Sequence, residues 1–418
     1  MTEKDFLRAV RDADRSFYAR AAAHAAEAEQ KKQKGSDFMK RAVRYLLAGS
    51  TVLAAAAGVC ILTGVFAKPH MDRDYAGVSE IYTERDIMLR AEYENLKMPE
   101  QISLKEYTQL YAYTTPEETE NEEHPDQERE LLLKFAEKMS GSRDPAAVKQ
   151  FEGPNPFLYY ETDREYLDIN SAGTRVFYAE KDAYNQLIYY YKGTQIMQYD
   201  PERSAVPEED TVALNGSDWR ISDAAAFADQ FLAGFLSEYT GFAECQLQTI
   251  GIYEMKDGSR QLAMEFAPTV NGIPADDSGD SHGDPFFMVC PKIKLAFSAP
   301  EHISLLQCER FFPPSKTQKL SGSFLRLSSA ARMLEQFLAP QHTYQVQDVM
   351  IRLAAVGEWD QTPYQYRPCY VFVLEEQPGK LQCSDRLTAY VDMQSGKIWM
   401  YDMIRGTRDD FSAFQKED

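Results

Sequence analysis

An α+β fold is predicted: one transmembrane helix, then extracytoplasmic helix-plus-antiparallel-sheet modules. Three observations carry it. Residues 45–67 form a stretch of 23 residues without a charge. Charge divides around that stretch: residues 1–44 hold 11 Lys/Arg against 7 Asp/Glu, and the remainder holds 34 against 58. Beyond residue 216, helical periodicity is twice followed by a set of alternating strands. The predicted order is a cytoplasmic amphipathic and basic tail (1–44), the span (45–67), a helical and acidic linker region (68–150), an aromatic-rich β region (151–215) and two helix-plus-sheet modules (216–310 and 320–405).

The tail comes first. Phe6, Leu7, Val10, Phe17 and Tyr18 recur mostly at helical steps, and Ala21 to Ala28 favour helix. One helix cannot bury such a stripe alone. These five residues are therefore candidates for docking a cytoplasmic protein, or for lying on the inner leaflet beside Lys31, Lys32, Lys34, Lys40 and Arg41. The span reads YLLAGSTVLAAAAGVCILTGVFA. As a helix it rises roughly 34 Å, enough for a bilayer core of about 30 Å. Lys40, Arg41 and Arg44 before it place the N-terminus in the cytoplasm and residues 68–418 outside. Gly49, Ala54, Gly58 and Gly64 would let a second helix approach, a route to a homodimer through the span.

Two helices are expected at 79–96 and 101–113, separated by Pro99, then an acidic linker at 115–129 and a helix at 130–141 with Gly141 as its stop. From residue 156 the pattern turns to short strands rich in Tyr and Phe. Tyr159, Tyr160, Phe177, Tyr178 and Tyr189 to Tyr191 fall in continuous runs, so some must sit on each face of a strand. Packing is one use of them, and stacking on a carbohydrate or peptide the other. The first module opens with a helix near Asp218 or Ser222, followed by strands at 244–255, 260–270 and 292–308 with an Asn271-Gly272 turn. The second has a helix at 328–339 and strands at 342–356, 368–376 and 386–401.

Two resemblances follow from these residues. The tail, with its segment FLRAVRDADRSFYARAA, a basic stretch and one span, resembles small membrane-anchored regulators of Firmicutes, some of which act like anti-sigma factors. It lacks the His-x-x-x-Cys-x-x-Cys element of the zinc-binding anti-sigma domain. Tyr390, Asp392, Gly396 and Lys397, in TAYVDMQSGKIWMYD, resemble the closing hairpin of a PepSY-type module. Region 218–402 is similar in plan to the extracytoplasmic domains of the YycH/YycI regulators. That resemblance implies domains that sense or scaffold and do not catalyse.

Chemistry is sparse. The six His, at 24, 70, 124, 282, 302 and 342, form no i, i+4 pair, and no phosphate-binding Gly-rich loop with Lys-Ser/Thr occurs. Asp276, Asp277, Asp280, His282 and Asp284 form the densest polar cluster. A solvated hairpin loop is the first reading of it. Calcium on Asp276, Asp277, Asp280 and Asp284 is the second, because a hard cation wants oxygen ligands, although the spacing is not that of an EF-hand. Cys245, Cys290, Cys308, Cys369 and Cys383 lack zinc spacing, and Cys369 with Cys383 flanks a hairpin that a disulfide would suit. No cofactor is expected. A net charge of -20 argues against nucleic acid as a partner. The expected function is a membrane-anchored, non-enzymatic regulator or scaffold. It would bind a peptide, envelope component or partner protein outside and signal to a sigma factor or sensor kinase inside. The alternatives are a cell-envelope assembly factor and a cell-envelope enzyme.

Overall fold

The computed structural model describes residues 74–81, 93–99, 102, 104–116, 125–151, 157–169, 175–181, 194–202, 204–276, 291–309, 313–338, 342–356, 363–377, 386–402 and 406–408. All of these belong to one compact unit. Two antiparallel sheets dominate it. The first runs in the order 148–151, 157–161, 165–169, 175–180, 302–309, 292–299, 260–270, 244–254 and 194–199. The second runs 316–319, 111–114, 365–377, 386–392, 398–402 and 406–408, with the strand 343–356 along the other edge of 365–377.

Three α-helices are present among the described residues: α1 (Pro125–Ser140), α2 (Ile221–Tyr239) and α3 (Leu327–Phe337). Helix α1 begins at Pro125, whose missing N–H costs nothing there, and Asp126 and Glu128 face the positive end of its dipole. It stops at Gly141, whose φ of 72° lets its N–H reach the Glu137 carbonyl at 2.9 Å. Helix α2 buries Ile221, Ala224, Ala228, Leu232, Phe235 and Tyr239 along one stripe. Phe135 of α1 meets Phe235 and Tyr239 of α2 at 5.8 and 5.4 Å, so the two helices pack on each other as well as on the first sheet.

Register explains which face they cover. Tyr160, Leu167 and Tyr178 are cross-strand partners and all are buried. Tyr160 shares a hydrogen bond with Ser142 just beyond α1, and Glu165, two residues from Leu167, bonds Ser140 of α1. Further along that face, Phe297 meets Phe227 of α2 at 6.1 Å. Both helices therefore lie on one face of the first sheet, and the alternate residues face away from them.

The two sheets meet where the hairpin of 260–270 and Ile273–Pro274 turns through Asn271 and Gly272, at φ 52° and 76°. Ala275 forms a parallel bridge with Leu353, and the Asp276 N–H reaches the Leu353 carbonyl at 2.9 Å. In the second sheet, Cys369, Val371, Tyr390, Trp399 and Ala354 form one buried cluster, with Tyr390 stacked on Trp399 at 5.3 Å.

These elements correct the expected α+β architecture with a membrane helix. Strand dominates, and the described helices number three. None is long and apolar enough to cross a membrane. The longest, α2, spans 19 residues, carries Asp223, Asp229 and Glu238, and packs on the first sheet. The transmembrane and single-pass expectations, and the extracytoplasmic placement built on them, thus have no support in the described helices. Residues 45–67, where the span was expected, lie outside the described residues, as do Phe6, Leu7, Val10, Phe17 and Tyr18. The expected helix at 101–113 is also corrected: Tyr111–Thr114 is a strand, paired with 316–319 and 365–366. Its Tyr-Ala-Tyr-Thr composition suits a pleated surface better than a helix. Likewise, at 96 the predicted helix gives way to Leu96–Lys97, a short strand beside 344–345. The single strand expected at 292–308 is a hairpin, turned at Glu301 (φ 56°), whereas 386–402 forms the hairpin expected there, turned at Gly396 (φ 68°).

Candidate functional site

On the face of the first sheet opposite α1 and α2, one row of aromatic rings crosses four neighbouring strands. Alternation aims Phe151 from 148–151, Phe157 and Tyr159 from 157–161, Tyr166 from 165–169 and Phe177 from 175–180 to this side. Phe151 and Phe157 stack at 5.1 Å and 22°. Phe157 and Tyr159 lie 6.2 Å apart, Tyr159 and Tyr166 stack at 5.6 Å, and Tyr166 meets Phe177 edge-on at 6.0 Å. Phe177 joins Ala179, Ala296 and Leu305 in a buried cluster against which Tyr166 packs. Phe157, Tyr159 and Tyr166 are half-buried, and Phe151 is 43% exposed.

Charges line the row. Glu161 receives Lys149 at 2.7 Å and Lys181 at 3.1 Å. Burial works to raise its carboxyl, but the two ammonium groups outweigh that and hold it below the usual range. Arg175 pairs with Asp168 at 3.1 Å and lies over the Phe177 ring at 5.8 Å. Further across the same face, Lys294 and Lys292 reach Glu265 at 3.4 and 3.8 Å.

A second polar cluster sits between the sheets. Arg352, buried, grips both carboxylate oxygens of Glu202, one of them at 2.9 Å, and donates to Gln248 Oε1 at 2.7 Å. Gln246 donates to the same Glu202 carboxylate at 2.8 Å and accepts from Lys105 Nζ at 2.7 Å. Burial lowers the Lys105 ammonium, Glu202 opposes this, and Arg352 adds to it. The groups here bind chiefly one another, which suits a staple between the sheets.

The residues singled out from sequence are dispersed. Asp276 is buried and accepts a hydrogen bond from the Tyr390 hydroxyl at 2.8 Å. Asp277, Asp280, His282 and Asp284 lie outside the described residues. Among those described, no three His, Cys, Asp or Glu side chains come together as a metal site. Asp392 builds its own turn: one oxygen accepts from the N–H groups of Gln394 and Ser395, and the other meets Arg367 at 3.1 Å. Cys369 is a buried thiol that burial and Asp392 push well upward, and Cys383 lies outside the described residues. Cys245 is pushed up to about 12 by burial, Asp229 and Glu244. Neither thiol is poised as a nucleophile at neutral pH.

Sequence reasoning named Tyr159 and Phe177 but not Phe151, Phe157 or Tyr166. The available signal was spacing by two: Lys149 and Phe151, then Phe157, Tyr159 and Glu161, share a face on any strand.

No protein-family model matches the chain, and no curated protein matches it. Among solved structures, an uncharacterized protein from Eubacterium rectale ATCC 33656 is similar at a TM-score of 0.42 and 11% identity, over 80% of this chain and 98% of that one.

Proposed function

We propose that the chain is a non-enzymatic binding module, a regulator or scaffold that holds a segment of a partner protein against the aromatic row of its first sheet. The row itself carries this reading: five rings on the face that the helices leave, half-buried at their centre and most exposed at Phe151. Rings stacked on one another spend their faces internally and offer edges outward. A sugar stacks on a ring laid flat, whereas ring edges and the gaps between them suit apolar side chains of a peptide. The paired charges beside the row supply polar contacts around an apolar centre, the usual layout of a protein interface.

The test is panning of a random peptide display library on the full chain, beside calorimetry with cellohexaose and chitohexaose. The expected result is enrichment of peptides bearing aromatic residues, with binding about tenfold weaker for each of Tyr159→Ser and Tyr166→Ser, in line with roughly 0.5–1.5 kcal/mol per aromatic pair. Oligosaccharide binding that the same substitutions remove would replace the peptide reading with a carbohydrate one.

A further inference from the structure

The aromatic row ends at an open sheet edge, and we propose that the partner binds there by adding a strand. The occupant is an extended peptide that pairs with Val148–Phe151, sets an aromatic side chain beside Phe151 and an acidic one beside Lys149. This rests on the binding reading above and specifies its geometry.

Four observations support it. Val148–Phe151 is the terminal strand of the first sheet, and among the described residues no strand pairs with its outer side. Such an edge presents backbone donors and acceptors that a peptide strand can use. The ring row advances strand by strand: Phe151 to Phe157 is 5.1 Å, Tyr159 to Tyr166 is 5.6 Å and Tyr166 to Phe177 is 6.0 Å. These steps follow the roughly 4.8 Å spacing of neighbouring strands, so one more strand brings one more ring into register. Phe151, the last ring, is one of the few large apolar side chains left exposed among the described residues.

Charge selects the partner. In a chain of net charge -20, this edge strand reads Val-Lys-Gln-Phe, with one cation and no acid. Lys149 and Phe151 share a face, two residues apart. Its ammonium meets Glu161 at 2.7 Å while the side chain stays 47% exposed, so an acidic side chain of the occupant can come beside it. An antiparallel occupant would then carry an aromatic residue followed two positions later by Asp or Glu.

The experiment uses the full chain and the synthetic peptide Thr-Val-Thr-Phe-Thr-Glu-Val-Thr, titrated by calorimetry up to millimolar concentration. Two controls carry N-methyl groups on alternate amides, one in each phase, so that one of them blocks the edge-facing donors. Expected are saturable binding of the plain peptide, at least tenfold weaker binding of one N-methylated phase, and similar losses for Phe151→Ala and Lys149→Glu. Both substitutions are on the surface, and circular dichroism establishes that the variants fold. If both N-methylated peptides bind as well as the plain one, and Tyr159→Ser weakens all three, strand addition is overturned while the binding face stands. Absence of binding by any peptide overturns the proposal. So does sedimentation showing a dimer of the chain that Phe151→Ala dissolves, since the occupant is then a second copy.

Discussion

The Tyr390 hydroxyl donates to the buried carboxylate of Asp276 at 2.8 Å, joining the turn that leaves the first sheet to the core of the second. Around it, Tyr390 stacks on Trp399, and the Asp276 N–H is held by the Leu353 carbonyl. Removing the hydroxyl costs Asp276 that hydrogen bond without changing the ring. Tyr390→Phe is expected to lower unfolding stability by about 1–3 kcal/mol, measured by urea titration. Millimolar calcium is expected to leave the midpoint of the unsubstituted protein unchanged; a rise would show that the folded protein binds the cation.

Arg352 and Glu202 form a bidentate pair, and Gln248 accepts a further hydrogen bond from the guanidinium. Arg352→Ala leaves Glu202 without its guanidinium partner and is expected to cost about 3 kcal/mol or more. Glu202→Gln keeps the shape and one acceptor, so it should cost less. A double-mutant cycle over the two positions should give a coupling above 1 kcal/mol, and additivity would show that the pair contributes only packing.

Cys245 supplies a pH signature. Burial raises its folded-state value to about 12, above the ordinary thiol value of 9.0. The folded protein then holds a proton that the unfolded chain releases. The stabilisation is complete below pH 9 and is lost as pH climbs from 9 towards 12. Unfolding midpoints measured over that window should fall less steeply for Cys245→Ala than for the parent. Equal slopes would mean that the thiol titrates normally.

Two glycines separate backbone freedom from space. Gly241 and Gly258 have φ of 74° and 81°. An added Cβ at Gly241 would lie 2.6 Å from Pro313 Cβ, whereas at Gly258 nothing lies within 4 Å. Gly258→Ala should cost about 1 kcal/mol for conformation alone. Gly241→Ala should cost about 1–3 kcal/mol more, because the clash is added. Calorimetric midpoints order the two directly.

Much of the second half was legible because its signals are local. Asn271-Gly272 announced a hairpin, and alternation placed the strands 244–254 and 260–270 within a residue of their observed bounds. The stripe of α2 was equally plain, although its start at Ile221 follows a hairpin, 211–214 with 217–220, that Asn215-Gly216 could have signalled. The first third misled. Leu104, Tyr107 and Leu110 repeat at helical steps, yet all three are buried in non-helical segments that meet the sheets. Periodicity reports which residues seek burial, and tertiary pairing of 111–114 with distant strands decides the backbone. The aromatic row was half visible for a related reason. Runs such as Phe-Leu-Tyr-Tyr name the rings, but only cross-strand register says which of them meet.

Arg352 and Leu353 are consecutive residues of the second sheet, and between them they bear a side-chain link, to Gln248 of the first sheet, and a backbone link, to Ala275 just beyond its hairpin. Two fastenings so close leave almost no lever arm at this point. Sliding of one sheet past the other would have to shear a guanidinium from its carboxylate and a main-chain bridge at the same place. The two links therefore act as a pin, which fixes the offset of one sheet against the other at Arg352 and Leu353.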